Sequence, residues 1–209
     1  VHLSRFDLIF FAVLIPSVIL HEVSHGWVAL IFGDDTAKRA GRLTLNPIAH
    51  IDPFGTIILP ALLILTTHSA FGYAKPVPVN PRQLRNPRDQ SLLVSLAGPA
   101  VNIVIAIAAA LVISRVGIPS DFDRGPLLKS VVFELGYANV ILAAFNLIPI
   151  PPLDGSAVIE RVLPRAWWPR YLQLRQYSMG VLILLVFLLP RLILVPVFDF
   201  ALHQWAKLL

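Results

Sequence analysis

The hydrophobic positions of this chain fall in long blocks rather than at the spacing of half-buried helices or strands. The first block covers residues 6–32 and is interrupted by Pro16 and by the polar cluster His21 to His25. At about 1.5 Å per residue it is long enough to cross a hydrocarbon layer of about 30 Å. Residues 91–113 and 127–148 form two further spans. The apolar stretch 55–70 has Pro60 inside it and is short for a simple span, which leaves a re-entrant or interfacial segment as the alternative. Residues 177–189 open a last apolar region that continues past Pro190 and Arg191 to Leu202. That region reads as one broken span, a hairpin, or a span followed by a surface helix.

The connections are polar and rich in proline. Arg42-Leu43-Thr44-Leu45 alternates polar and apolar, the pattern of a short strand. Lys75-Pro76-Val77-Pro78-Val79 reads as extended chain, because proline removes a donor and restrains the residue before it. Ile148-Pro149-Ile150-Pro151-Pro152 must end the helix that precedes it. Residues 155–176 are amphipathic and basic. The pattern predicts an all-α polytopic membrane protein with a bundle of about four to six transmembrane helices. A small extended element near residues 42–79 and the re-entrant segment complete it. No internal repeat and no separate soluble domain interrupts the blocks. Residues 1–209 therefore read as a single membrane-embedded domain, with a core over about residues 6–160 and a C-terminal membrane region over about 177–205.

Composition strengthens this class. Hydrophobic residues make up 56% of the chain and charged ones 14%, against about 45–50% and 25% in soluble domains. There is no cysteine, which removes disulfides, thiolate metal sites and cysteine nucleophiles. The net charge of +5 lies in loops between apolar blocks, so it bears on topology rather than on nucleic acid. The first block follows Arg5 as a signal peptide would, but lacks a small-residue cleavage site and is expected to stay.

The chemistry lies in His21-Glu22-Val23-Ser24-His25. Residues four apart share a helix face, so both imidazoles can meet one metal ion. Neutral imidazoles suit zinc, and Glu22 is placed to act as general base. With 6 His in the chain, chance would produce the pattern in roughly 2 of 1,000 such sequences. A membrane setting makes an idle cluster rarer still, since ionisable groups there are costly. A catalytic zinc takes three protein ligands and keeps one open position. His2, His50, His68 and His203, and the acids Glu134, Asp154 and Asp199, are the candidates for the third. Asp154 stands out because it follows the proline break, where unwound backbone can line a cavity. Its alternative is a helix N-cap.

These residues resemble the site-2 protease family of intramembrane metalloproteases. His21-Glu22-Val23-Ser24-His25 matches the zinc motif, and the run from Asn146 to Gly155 is similar to the Asn-Pro-Pro-Asp-Gly signature. Ala97-Gly98-Pro99-Ala100-Val101-Asn102 resembles an element on the intervening helix. The resemblance covers about residues 18–160 and is to a compact form without an inserted PDZ or CBS domain. It implies one Zn2+ per chain, Asp154 as third ligand, and Asn146 and Asn102 as polar contacts beside the site. Asn146 is the candidate donor to substrate or oxyanion. Lys75 and Val77 are candidates for a strand that pairs with an unwound substrate.

For His21, His25 and Asp154 to share a metal, the first and third of the spans must exit on the same side. Eleven Lys and Arg, from Lys38 to Arg175, then fall on the exit side, against Arg5, Arg115, Arg124 and Lys129 on the other. The positive-inside rule puts the site nearer the cytoplasm of a prokaryotic cell. The expected partners are the lipid bilayer and a transmembrane protein or peptide substrate, with no nucleic acid. A metal-ion transporter or a non-proteolytic scaffold retaining the site are the rival readings.

Overall fold

A computed structural model describes residues 4–52, 74–122 and 124–209. Helix α1 (Arg5–Ile31) is followed by the short α2 (Thr36–Arg39), then by α3 (Pro87–Val116) and α4 (Leu127–Asn146). Beyond the proline break come α5 (Ser156–Val162), α6 (Trp168–Arg175), α7 (Ser178–Leu188) and α8 (Leu194–Ala206).

Local chemistry sets the helix ends. Ser4 caps α1 by accepting from the Asp7 backbone N–H, and the Asp7 carboxylate accepts from Ser4 N–H in return. Gly33 follows α1 at φ +108°, a left-handed position that glycine takes without a Cβ clash. Helix α3 begins on Pro87, whose missing N–H has no helical partner to lose there.

Helices α1, α3 and α4 are 27, 30 and 20 residues long and apolar enough to cross a membrane. They pack against one another as a three-helix core, with α8 laid against α4 and α3. Small residues at the contacts, among them Gly98, Ala106, Ala109, Ala110, Gly136 and Ala138, let the backbones approach. At Gly136 an added Cβ would lie 2.3 Å from Trp205, and the Trp205 indole N–H donates to the Ala106 carbonyl at 2.7 Å. The outward faces carry exposed Leu8, Phe11, Ile15, Leu93, Val104 and Leu111, which suits lipid. This chain is a membrane protein.

Helix α1 ends where α3 begins. Arg85 N–H donates to the Phe32 carbonyl, and Asn80 N–H donates to the Asp34 carboxylate at 2.6 Å. At the opposite end Arg5 reaches the Gly125 carbonyl, just before α4. The ends of α1 and α4 therefore lie on one side, as the shared-metal argument requires.

Two of the sequence expectations are not met within the described residues. Three helices, rather than four to six, are long enough to span. The last apolar region is divided at Pro190 into α7 and α8, of 11 and 13 residues, about 17 and 20 Å long. The described part of the 42–79 region holds no strand. Arg42 to Leu45 passes through a bend whose backbone groups turn elsewhere, Arg42 N–H to the Ala37 carbonyl and the Thr44 carbonyl to His50 Nε2, while the buried Arg42 side chain donates to the Lys75 carbonyl. The 55–70 segment and His68 lie outside the described residues, as does His2.

Candidate metal centre

His21 and His25 sit one turn apart on α1, facing inward and 5% and 8% exposed. Each ring is gripped at Nδ1. His25 Nδ1 lies 2.7 Å from the Val94 carbonyl, and His21 Nδ1 lies 2.6 Å from Asn102 Oδ1, both on α3. A carbonyl oxygen only accepts, so each ring carries its proton on Nδ1 and keeps a lone pair at Nε2.

Both Nε2 atoms point at one carboxylate. Asp154 Oδ2 lies 3.0 Å from His21 Nε2 and 3.4 Å from His25 Nε2. The break after α4 delivers it there: Gly155 N–H turns back to the Asn146 carbonyl at 2.7 Å. An added Cβ at Gly155 would stand 2.3 Å from the Leu147 carbonyl oxygen, so this turn requires glycine. Gly98 on α3 leaves the neighbouring space open, since a Cβ there would lie 2.5 Å from His25 Nε2 and 2.6 Å from His21 Nε2.

The arrangement fits a cation. Two imidazole lone pairs and a carboxylate oxygen converge with no proton assigned between them. Asp154 Oδ2 is buried without a hydrogen-bond partner. One candidate ligand atom from each residue lies within 4.8 Å of the others. Three acceptors facing one point repel unless a positive charge sits among them. Two nitrogens and one oxygen, with space beside them, form a donor set suited to zinc with an open position.

Glu22 lies on the same turn, and its Oε2 accepts the Val77 backbone N–H at 2.9 Å. Lys75 is held by its backbone, donating to the His50 carbonyl and accepting from Arg42. The next anchor is Asp34, whose carboxylate accepts from Asn80 N–H and from the Thr36 backbone and hydroxyl. Burial pushes the Asp34 carboxyl up, but these donors and Arg39 outweigh it and hold it below the usual carboxylate range. The 75–80 segment is thus tied to α1 at its end and across the histidine turn. A Cβ on Gly26 would lie 2.9 Å from Val77 Cγ1, which shows how closely the two approach.

The structure therefore brings together His21, Glu22, His25, Asp154, Asn102 and Val77 from four separated stretches of sequence. Asn146 is not drawn into that cluster by any side-chain bond: its amide donates to Leu142 on its own helix. Of the other ligand candidates, His203 and Asp199 are exposed and His50 bonds the Thr44 carbonyl. Glu134 is fully buried in α4 and, among the described residues, has no hydrogen-bond partner and joins no metal-ligating group. Sequence reading missed Val94, Asp34, Asn139 and Ser17. The first acts through a backbone carbonyl, which no residue type signals.

Comparisons with known proteins point to a family of zinc metalloproteases. The model of peptidase family M50 matches residues 9–126 and 123–189. YwhC of Bacillus subtilis, named as a zinc metalloprotease, is 41% identical over 183 residues, covering 85% of this chain and 78% of its own. Rip2 of Mycolicibacterium smegmatis, named likewise, is 34% identical over 145 residues, covering 69% of this chain and 53% of its own. The zinc metalloprotease MJ0392 of Methanocaldococcus jannaschii is 27% identical over 164 residues, 78% of this chain and 37% of its own. No solved structure matches. The chain belongs to peptidase family M50, the site-2 protease family, and is a membrane zinc metalloprotease.

Proposed function

We propose that this protein is an intramembrane endopeptidase that cuts transmembrane protein or peptide substrates in or beside their membrane spans. The observation that carries this is the position of the site. His21 and His25 lie about 15 and 9 Å from the C-terminal end of α1, inside a helix about 40 Å long. With Asp154 they are the one group of three metal-ligating side chains among the described residues.

His21 Nε2, His25 Nε2 and Asp154 Oδ2 are the proposed zinc ligands. Zinc, when bound, supplies the Lewis acidity that activates water near neutral pH and polarises a peptide carbonyl. Glu22 Oε2 is taken by the Val77 N–H, which leaves Oε1 to accept the proton of the attacking water. The same carboxylate then passes the proton to the leaving nitrogen. Asn146 gives one amide hydrogen to Leu142 and has a second for the substrate carbonyl.

A helical substrate hides its carbonyls and must unwind before attack. The extended 75–79 segment lies against Glu22 and would pair with the unwound strand, Lys75 and Val77 marking the paired positions. The chain is proposed to be multi-pass in a prokaryotic cell membrane, its site nearer the cytoplasm, where eleven of the counted Lys and Arg gather. A metal transporter would need ligands repeated along a path, and no second group of three occurs among the described residues.

The test is product mapping. Vesicles containing the purified protein and a library of single-span substrates are incubated, and the new termini are located by mass spectrometry. Cuts within or next to the spans are expected. Cuts confined to soluble loops would overturn the intramembrane reading while leaving the protease intact.

A further inference from the structure

Three buried polar side chains of the bundle, Asn102, Asn139 and Ser17, form one directed chain that ends on His21. Asn102 Nδ2 donates to Asn139 Oδ1 at 2.7 Å, and Asn139 Nδ2 donates to Ser17 Oγ and to the Leu135 carbonyl, each at 2.8 Å. Ser17 Oγ donates in turn to the Val13 carbonyl at 2.7 Å. Asn102 and Asn139 are fully buried and Ser17 is 1% exposed. Bulk water therefore offers them no alternative partners.

The direction of this chain is dictated from its far end. A backbone carbonyl accepts and never donates. The Val13 carbonyl takes the Ser17 hydroxyl proton, which leaves Ser17 Oγ as an acceptor. Ser17 Oγ and the Leu135 carbonyl together take both amide hydrogens of Asn139. The Asn139 oxygen must then face α3, where it takes an amide hydrogen of Asn102. Asn102 is left with its oxygen toward His21, so His21 carries its proton on Nδ1 and offers a lone pair at Nε2. If Asn102 were turned over, its amide would face Nδ1, the proton would move to Nε2, and His21 would aim an N–H at Asp154.

His25 reaches the same tautomer in one step, from the Val94 carbonyl. His21 depends on three side chains from three helices. We infer that Asn139, held by Ser17, is a positioning residue of the zinc centre that fixes the Asn102 amide and through it the His21 tautomer. This rests on the proposal that His21 binds zinc. Partners behind a metal-ligating histidine set its basicity and orientation, and their loss costs about 10–100-fold in affinity.

The experiment is a double-mutant cycle read as zinc affinity, by competition with a fluorescent chelator, in the Glu22→Gln protein in detergent. Asn139→Leu is expected to weaken zinc by about tenfold. Asn102→Asp removes the need for Asn139, because a carboxylate presents an acceptor to His21 either way round. In that background Asn139→Leu is expected to cost nothing. Equal losses in both backgrounds would make Asn139 a packing residue and overturn the inference, as would no loss in either. Should Asn139→Leu fail to fold, 15N-histidine spectra of the zinc-stripped parent decide: a neutral Nδ1–H His21 is expected, and Nε2–H overturns the relay. A parent protein that binds no zinc would instead count against the ligand set.

Discussion

Asp154→Ala is expected to strip the purified protein of its zinc and to abolish cleavage. Asp154 Oδ2 faces both imidazole nitrogens, at 3.0 and 3.4 Å, and is the one acid of the group. Its removal takes a proposed ligand and a negative charge from the site. The loss in zinc affinity is expected to exceed the roughly 10–100-fold typical of an outer partner. Metal analysis after dialysis against a weak chelator measures it. Asp154→Ala protein that keeps stoichiometric zinc would place the third ligand elsewhere.

Gly98→Ala is expected to have an effect of similar size for the opposite reason, by adding an atom. Its Cβ would lie 2.5 Å from His25 Nε2 and 2.6 Å from His21 Nε2. The rings cannot swing aside freely, because Asn102 and Val94 hold both Nδ1 atoms. Overpacking of this kind costs about 1–3 kcal/mol where the structure can adjust. Here the displaced atoms are the metal-facing ones, so the cost is expected to appear as lost zinc affinity more than as lost folding. Zinc titration and thermal melting of the same variant separate the two. A variant with lowered melting temperature and unchanged zinc affinity would contradict the prediction.

Much of the site was legible because its residues obey local rules. His21 and His25 share a face by helical repeat alone, and Asp154 announces itself behind the proline break. The three long helices followed from the length of their apolar blocks. The shared exit of α1 and α4 followed from the need to bring Asp154 to the histidines. What escaped was set by contacts distant in sequence. Asn139 looks like any polar residue in a span until α1 and α3 are packed around it. Val77 reaches Glu22 across 55 positions of chain. Arg42 to Leu45 has the alternation of a strand, but its backbone groups bond Ala37 and His50 and no ladder forms in the described residues. The apolar run after residue 177 leaves a broken span, a hairpin and a span with a surface helix open, because hydropathy does not say how far Pro190 breaks it; the break gives helices of 11 and 13 residues.

The most direct measurement compares the wild-type protein with Glu22→Gln, each purified, assayed for bound zinc and reconstituted with a single-span substrate. One zinc per chain is expected in both proteins, with a cleavage rate about 10²–10⁴-fold lower in Glu22→Gln, because the proton acceptor is gone while the proposed ligands stay. Cleavage that survives in Glu22→Gln, with zinc still bound, would contradict that role for Glu22.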